Sequence, residues 1–497
     1  MNNKVLIAII AAVAVVAIVA AAVLLMGNGN NNSGPSTPDT PDTPVSDKVV
    51  DGSLWVLGNA NNDTTIDNKD VTYIQNKIRD GGLTSEDRLW CDANYDGKVD
   101  QSDVDFVKKL IAGTSSTIYY RNYNGYDGAT DTVKGSVVKF NVPDASKPIY
   151  LMLEGRCLAE EVLVVTSQNH DHYKVVAASK QCMDYNGQLQ FFDESYTKKY
   201  GIEVMMTTNR NISPEEVATL EKKYNDGMLI MCMGAEDLYN KGIEEKISGY
   251  GTTQVIRLPS WEHGLCLSGT LTFGYLLGSQ GNISGKSSWQ MANEYADWNI
   301  KYSNIIIDAT KNLTASQRKT IANFTVSESS DGVFTYSVST AGGDPYNYST
   351  KAGGNNLGSR FAGTDSNGSK SVTVEDIAQY ARNVDVIVLQ TAGEAFDSVG
   401  GPQRSVNTVN MGVRALNGYV TPNADIYSMS FAFFNGASHI ISMVLYAQFM
   451  YGDTIKEIGD LDYKAIYKEY CKFTGWEDRD FGYLVIYSGP RHTTTPI

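Results

Sequence analysis

The alternation of apolar and polar residues divides the chain into four parts. Residues 5–26 form an unbroken apolar run, and residues 27–50 are rich in Asn, Thr, Pro and Asp. Residues 51–116 contain two similar stretches in which a polar loop precedes an apolar pattern of helical spacing. In residues 117–497 short apolar runs alternate with amphipathic stretches, which is typical of strands and helices in α/β layers.

The apolar run at residues 5–26 predicts a transmembrane helix. Its 22 residues carry no charge and reach about 33 Å as a helix, enough for a hydrocarbon core of about 30 Å. Lys4 favours an amino terminus inside the cell with the remainder exported. A signal peptide cleaved near residues 20–22 is the competing interpretation. The sequence therefore predicts a cell-surface protein anchored in the cytoplasmic membrane by residues 1–26, with residues 27–50 as a linker and the bulk of the chain extracellular.

Two loops in residues 51–116 repeat one spacing of oxygen-bearing residues. Side-chain oxygens recur at loop positions 1, 3, 5, 9 and 12, and position 7 offers a backbone carbonyl. Ca²⁺ takes about six to eight oxygen ligands, and this spacing wraps them around one ion. The predicted ligands are Asn59, Asn61, Asp63, Thr65, Asp67 and Asp70 in the first loop and Asp92, Asn94, Asp96, Lys98, Asp100 and Asp103 in the second. Two calcium ions are therefore predicted, and turns that are acidic but merely solvated are the alternative.

Position 12 of both loops is Asp, where the EF-hand has a bidentate Glu, and a helix is predicted only after each loop. In these features residues 54–113 resemble the dockerin module. The resemblance implies calcium binding and a cohesin-bearing protein as partner. The first loop departs from the pattern, because Asn59 replaces the usual Asp and Thr64 replaces Gly. We therefore expect weaker calcium binding in the first loop.

The remainder of the chain predicts an α/β fold. Strands are predicted at residues 137–142, 162–166, 175–177, 228–233, 254–258, 333–338, 384–389 and 425–428. Helices are predicted at residues 214–224, 288–312, 374–383, 407–416 and 434–451. Because about 380 residues are too many for one sheet, we expect two lobes.

Composition and motifs narrow the classes of function. With 56 acidic and 41 basic side chains the net charge is −15, which disfavours nucleic acid as a partner. The 5 His and 6 Cys exclude a protein rich in Cys/His metal sites, and the cysteines either pair outside the cell or stay as buried thiols. The 30 Tyr indicate wet pockets and exposed sheet surfaces. No G-x-S-x-G, P-loop or H-E-x-x-H motif occurs, and no enzymatic activity is predicted.

Two histidine positions allow more than one interpretation. His170 and His172 lie two residues apart and could form half of a metal site. A solvated turn is the preferred interpretation, because the sequence offers no third ligand nearby. His263 follows a predicted strand, where ligands bind in open α/β sheets, but a structural role explains it as well.

Eight segments occur in a characteristic order. They are residues 139–143, 148–153, 213–220, 227–231, 352–357, 372–377, 385–388 and 417–420. In their order and spacing, residues 119–487 resemble the helical-backbone substrate-binding proteins of ABC importers, which carry ferric siderophores, haem and cobalamin. The resemblance implies two Rossmann-like lobes, at residues 117–287 and 313–497, joined by a single long helix at residues 288–312. One rigid connector permits only small hinge motions.

The resemblance also implies where a ligand and a permease bind. The implied pocket residues between the lobes are Glu154, Arg156, Asn209, Arg210, Trp261, His263, Tyr346, Tyr348, Gln390 and Tyr427. Aromatic rings stack on flat groups, and Arg pairs with anionic chelates. Glu215 and Glu375 occupy the places at which the family docks onto Arg residues of the permease. As acids at helix amino termini, they are equally explained by the helix dipole.

Together these features predict a membrane-anchored substrate-binding protein of an ABC importer. It would capture a ferric siderophore, haem or cobalamin and deliver this chelated metal to the permease, without performing chemistry. The scarcity of His and Cys favours a metal that arrives already chelated. One alternative is an extracellular adhesion or scaffold protein that recruits a cohesin-bearing partner through its calcium module. A weaker alternative is an extracellular hydrolase, whose carboxylates are rarely visible in sequence.

Overall fold

The computed structural model of this protein describes most of the chain beyond residue 51. The described residues are 52–127, 132–155, 158–179, 182, 194–205, 212–235, 241–249, 251–260, 264–280, 283–361, 368–391, 401–430, 433, 436–475, 487–489 and 495–496. The predicted transmembrane helix at residues 5–26 and the linker at residues 27–50 lie outside them. Among the helices that are described, none is long and apolar enough to cross a bilayer.

Residues 51–116, which we call the calcium module, contain three helices: one follows each predicted calcium loop, and one lies between the two loops. They are α1 (Asn68–Asp80), α2 (Ser85–Cys91) and α3 (Gln101–Ile111). Each begins with a capping box, in which the side chain at the cap and an Asp three residues later satisfy each other's backbone amides. Of the apolar positions predicted at helical spacing, Ile74, Val104 and Val107 are fully buried, whereas Ile78 and Ile111 near the helix ends are exposed. The predicted loop-and-helix repeat is therefore confirmed.

A parallel sheet lies within residues 117–287, which we call the first lobe. Its strands lie in the order β7-β6-β5-β8-β9, and every neighbouring pair is parallel. The strands are β5 (Ile149–Glu154), β6 (Tyr173–Ser179), β7 (Glu203–Met205), β8 (Met228–Met233) and β9 (Gln254–Arg257). All six residues of the central strand β5 are buried, because helices cover both faces of a parallel sheet.

Two antiparallel pairs precede this sheet, and helices flank it. The pairs are β1 (Thr117–Arg121) with β4 (Val137–Asn141) and β2 (Gly125–Asp127) with β3 (Thr132–Lys134). The helices are α4 (Leu158–Thr166), α5 (Glu194–Tyr200), α6 (Pro214–Lys223), α7 (Ile243–Ile247) and α8 (Cys266–Gly278).

The strand predicted at residues 162–166 is wrong, because these residues belong to α4. All nine residues of α4 are buried, so the helix shows no polar face and its sequence reads as a continuous apolar run. Such a run fits a buried strand and a buried helix equally well. Packing between β5, α8 and the later helix α15 (Tyr463–Thr474) decides for the helix.

The long helix α9 (Ser288–Thr310) follows the first sheet and precedes the second. Its 23 residues span about 34 Å, and Ser287 caps it with Gln290 in a capping box. Buried positions such as Met291, Tyr295 and Trp298 recur along one side, as the predicted helical spacing requires.

A mixed sheet lies within residues 313–497, which we call the second lobe. Its order is β13-β11-β10-β14-β15-β16-β17, with β12 beside β10; β10, β12, β14 and β15 run parallel, and the other pairs are antiparallel. The strands are β10 (Thr320–Glu328), β11 (Phe334–Ser339), β12 (Asn355–Asn356), β13 (Ser369–Val372), β14 (Val386–Thr391), β15 (Asp425–Ser430), β16 (Tyr487–Gly489) and β17 (Thr495–Pro496). The helices besides α15 are α10 (Asp344–Lys351), α11 (Val374–Tyr380), α12 (Gly401–Leu416), α13 (His439–Tyr451) and α14 (Lys456–Gly459). The predicted α/β fold is confirmed.

Candidate functional site

The second calcium loop closes around the carboxylate of Asp92. Its two oxygens accept from the amides of Asp96 at 3.0 Å and Gly97 at 2.9 Å. At the other end of the loop, Asp103 accepts from Asn94 N at 3.2 Å and from Asp100 N at 2.8 Å. Gly97, at position 6, has a φ of +86°, a left-handed conformation that favours glycine.

The first loop repeats this geometry in part. Asp70, the equivalent of Asp103, accepts from Asn61 N at 3.1 Å and from Asp67 N at 2.8 Å. Asn62 and its repeat equivalent Tyr95 both have positive φ, at 57° and 56°. At position 6 the loops differ, since Thr64 does not take the left-handed conformation of Gly97.

Burial disfavours negative charge at the loop carboxylates. It raises the pKa of Asp70 and of Asp92 to about 6, against the lowering effect of the amides that bond them. The pKa of Asp103 is also raised by burial. In the first loop, the ammonium of Lys69 lies 3.1 Å from Asp67 and 3.9 Å from Asp63.

The donor set of both loops fits a calcium ion. The amide nitrogen of Asn59 donates to Leu54 O and Asp63 O, while nothing in the described part of the chain donates to its buried Oδ1. An unpartnered oxygen at ligand position 1 is what a cation would satisfy. Within the described residues, no three His, Cys, Asp or Glu side chains suffice to hold a metal. A calcium site here therefore draws on Asn oxygens and backbone carbonyls as well, which is usual for this hard cation.

The carboxyl end of the central strand β5 carries buried acids. Glu154 ends the strand, and Glu160 and Glu161 lie in the first turn of α4 that follows it. All three are at most 1% exposed. Glu160 accepts a hydrogen bond from the Tyr470 hydroxyl of α15. The amino terminus of α4 favours these carboxylates through its dipole.

A residue of the first lobe, Gly264, is held by one face of helix α10 in the second lobe. Its amide donates to Asp344 Oδ1 at 2.6 Å, and its carbonyl accepts from Lys351 Nζ at 3.2 Å. A Cβ at residue 264 would stand 3.2 Å from the Cβ of Asn347. We call Asp344, Asn347 and Lys351 the clasp, because their spacing of three and four places them on one side of the helix.

The same helix is tied to the long helix α9 through a histidine. Tyr348 of α10 stacks on His439 of α13, with ring centroids 4.7 Å apart and planes 13° from parallel. His439 Nδ1 lies 3.0 Å from Gly436 O and Nε2 lies 2.9 Å from Asn299 Nδ2. The carbonyl can only accept and the amide nitrogen can only donate, so this arrangement fits an imidazole that donates from Nδ1 and accepts at Nε2.

Five of the predicted pocket residues lie within the described part of the chain. Tyr346 and Tyr348 lie on α10, which carries the clasp, and Glu154 lies at the carboxyl end of β5. Gln390 accepts from Thr325 at 3.0 Å, and Tyr427 stacks on Phe449 at 4.0 Å, so these two contacts stay within the second lobe. Five predicted pocket residues lie outside the described residues: Arg156, Asn209, Arg210, Trp261 and His263.

Other predicted residues can be located as well. His170 and His172 lie in a turn, where His170 stacks on Tyr200 at 4.3 Å and His172 meets the Tyr173 ring edge-on. Burial lowers the pKa of both imidazoles. The five described cysteines are buried free thiols: Cys91, Cys182, Cys232, Cys266 and Cys471.

Glu215 and Glu375 have the same local setting. Each occupies the second position of a helix, α6 or α11, and each side chain is exposed. In both helices the capping carboxylate is the next residue, Glu216 or Asp376. Capping therefore does not require Glu215 or Glu375.

Sequence reasoning missed Asp344, Lys351 and His439. Asp344 precedes Pro345 at the start of a helix, which the sequence signals as a helix start and nothing more. Their roles come from contacts across 80 to 140 residues of chain, for which the sequence offers no local signal.

Parts of this chain are similar to a protein-family model and to solved structures of other proteins. Residues 57–112 match the family model of the dockerin type I domain. Solved structures similar to this chain include a TroA-like periplasmic binding protein, FepB, from Veillonella parvula. It is 12% identical, the match covers 67% of this chain and 93% of that chain, and the TM-score is 0.49. They also include a possible iron-binding periplasmic protein from Staphylococcus epidermidis (13% identity, covering 61% of this chain and 98% of that chain, TM-score 0.40). A third is the periplasmic heme-binding protein HutB of Vibrio cholerae (12% identity, covering 61% of this chain and 99% of that chain, TM-score 0.40). No curated protein matches the sequence.

Proposed function

We propose that this protein is the substrate-binding component of an ABC importer, displayed at the cell surface on an amino-terminal anchor. It captures a chelated metal, as a ferric siderophore, haem or cobalamin, between two lobes joined by α9. It then hands the ligand to a permease. Catalysis is no part of this role.

The observation that carries the proposal is the meeting of two lobes at Gly264. In sequence, this residue directly follows Trp261 and His263, which the family resemblance assigns to the first-lobe side of the pocket. The helix that holds it, α10, contains Tyr346 and Tyr348, which the resemblance assigns to the second-lobe side. The contact between Gly264 and α10 therefore supports a pocket between the two lobes. Ligand sites commonly lie at such junctions and beyond the carboxyl ends of strands.

A titration tests ligand capture. The full chain is mixed with a ferric siderophore, haem or cobalamin, and tryptophan fluorescence and the melting temperature Tm are followed. We expect quenching and a rise in Tm with one ligand class. If none of the three produces either change, the proposal fails.

A matched pair of variants locates the site. Tyr346→Ala on α10 should weaken binding about tenfold or more, because it removes a half-buried ring beside the clasp. Tyr419→Ala is the control, since Tyr419 is also half-buried but precedes β15 at the amino end of that strand. Equal effects of the two variants would argue against a pocket at α10.

Permease docking is proposed for Glu215 and Glu375. Both carboxylates are exposed and neither is needed to cap its helix, which leaves them available to basic side chains of a partner. Glu215→Gln and Glu375→Gln should lower uptake in cells while ligand binding by the purified protein stays unchanged. Loss of ligand binding would contradict a docking role.

Recruitment of a cohesin-bearing partner is a second candidate, favoured by the match to the dockerin family. Dockerin type I domains generally bind calcium, and we propose one ion in each loop. Calorimetric titration should give a stoichiometry near two, with weaker binding in the first loop. Pull-down with cohesin domains in calcium and in chelator tests the partner, and a lack of calcium-dependent capture would count against this role.

A further inference from the structure

The segment that precedes the first calcium loop, residues 52–57, lies between this loop and the first lobe. Residues 54–57 are completely buried. Leu57 N donates to Tyr119 O at 2.8 Å, and Arg121 N donates to Trp55 O at 3.0 Å. Val56 forms an antiparallel bridge with Tyr120 between these bonds. The segment thus adds a short strand to the edge of β1.

The same segment is bonded to helix α8. Gly52 N donates to Ser268 Oγ at 2.8 Å, and Trp55 N donates to Thr272 Oγ1 at 3.1 Å. The two hydroxyls are four residues apart on one face of α8, and both residues are completely buried. A backbone amide in such a place needs its acceptor, because an unpaired buried amide costs free energy.

On its other side, the segment is bonded to the first calcium loop. Leu54 N donates to Asp63 O at 3.0 Å, and Asn59 Nδ2 donates to Leu54 O at 2.8 Å. Asn59 and Asp63 are positions 1 and 5 of that loop. One short segment therefore has direct bonds to a calcium loop, to β1 and to α8.

The second loop reaches the first lobe through aromatic rings. Tyr95, within the loop, and Phe106, on α3, both pack against Tyr119 of β1, with ring centroids 5.7 Å and 6.1 Å away. A single hydrophobic cluster also runs from residues 54–57 through α3 to α8 and α9. The junction is therefore continuous core.

We propose that the calcium module is a structural part of the first lobe, so that calcium binding to its loops stabilises β1 and α8. A ligand that binds only the folded state stabilises every element that unfolds with its site. A module attached by a flexible tether would confine this effect to itself. Residues 52–57 transmit this stabilisation, because Leu54 is hydrogen-bonded to the first calcium loop while Gly52 and Trp55 are hydrogen-bonded to α8. By reciprocity, a change that loosens α8 from the segment weakens calcium binding.

Hydrogen exchange of the full chain, with calcium and with chelator, tests the proposal. At free calcium about 100 times its Kd, exchange should slow by up to about 100-fold in peptides of α1 and α3, and equally in peptides of β1 and α8. Peptides of β11 serve as the reference, because Tyr336 and Val338 belong to a separate hydrophobic cluster. The proposal is overturned if calcium slows exchange in the module alone, or in no peptide at all.

Two threonines of α8 provide a matched comparison. Thr272→Val keeps the shape of the side chain but removes the acceptor of Trp55 N. Thr270→Val removes a hydroxyl that donates to Cys266 O within α8, as the Thr272 hydroxyl donates to Ser268 O. Both changes are expected to lower the Tm. Only Thr272→Val should weaken calcium affinity, by about fivefold or more, and reduce the calcium-dependent protection of α8. Equal calcium affinity in the two variants would contradict transmission through residues 52–57.

Discussion

Replacing Asp87 by Asn should destabilise the calcium module through loss of a buried charge. The Asp87 carboxylate is 6% exposed and accepts from Thr84 N at 2.9 Å, Thr84 Oγ1 at 2.7 Å, Tyr73 OH at 2.8 Å and Lys77 Nζ at 2.8 Å. Burial by itself raises the pKa of this carboxyl, but these four donors outweigh it and lower the pKa from 3.8 to about 2. Asp87 thus joins α2 to α1 and also caps α2.

The pKa shift sets the magnitude and the pH range. A lowering of nearly two units corresponds to about 2 kcal/mol of stability. Because the folded pKa is depressed, this stability is fully present above pH 4 and is lost as the pH falls from about 4 towards 2. The Asn amide would also turn its donor hydrogens either towards Tyr73 or towards Lys77 and Thr84, because these donors bond different oxygens of Asp87, and this adds to the cost.

Urea unfolding of the full chain at several pH values measures the effect. We expect Asp87→Asn to lower the free energy of unfolding by about 2–3 kcal/mol at pH 7. The difference from the parent protein should shrink below pH 4. Asp80→Asn is the control, because Asp80 pairs with Arg79 at the exposed surface and should have no measurable effect. A difference that does not change with pH would refute the role of the charge.

Three further changes test separate contacts. Gly58→Ala should lower the free energy of unfolding, measured in the same urea assay, by about 1–3 kcal/mol, because φ is +100° and the new Cβ would stand 3.0 Å from a methyl group of the buried Val107. Gly81→Ala is the control and should lower it less, because no atom lies within 4 Å of the new Cβ. Tyr470→Phe removes a donor to buried Glu160 and should lower the free energy of unfolding by about 1–3 kcal/mol, with an unchanged stability arguing against that bond. Asp344→Asn in the clasp should speed ligand release severalfold in stopped-flow measurements, and an unchanged release rate would show that the clasp does not restrain the lobes.

Local spacing carried much of the prediction. Each calcium loop has twelve positions and leads directly into the capping residue and the apolar positions of its helix, α1 or α3. Because these residues are close along the chain, their pattern predicts both the loops and the helices. Strands such as β8 and β14 were recognisable as short apolar runs bounded by polar turns. The long helix α9 was predicted by its helical spacing, and the structure adds the capping Ser287.

Features without a local pattern were missed or misread. The buried helix α4 lacks a polar face and was predicted as a strand. The abundance of Tyr suggested wet surfaces, yet rings such as Tyr295, Tyr467 and Tyr470 are packed among α9, α13 and α15 with their hydroxyls in the core. A Tyr count does not reveal which rings are covered, because burial depends on residues far away in the chain.

The sequence by itself determined the calcium-loop repeat, the α/β class and the positions of most helices and strands, because each depends on residues that are close along the chain. Tertiary structure alone decided that Gly264 meets Asp344 and Lys351, and that residues 54–57 lie between a calcium loop and α8. The first contact joins residues 80 apart, and the bond from Trp55 to Thr272 joins residues 217 apart. Such contacts form only when the lobes pack. A backbone amide can bond any acceptor that packing brings within hydrogen-bond distance, so its partner cannot be predicted from the sequence around it.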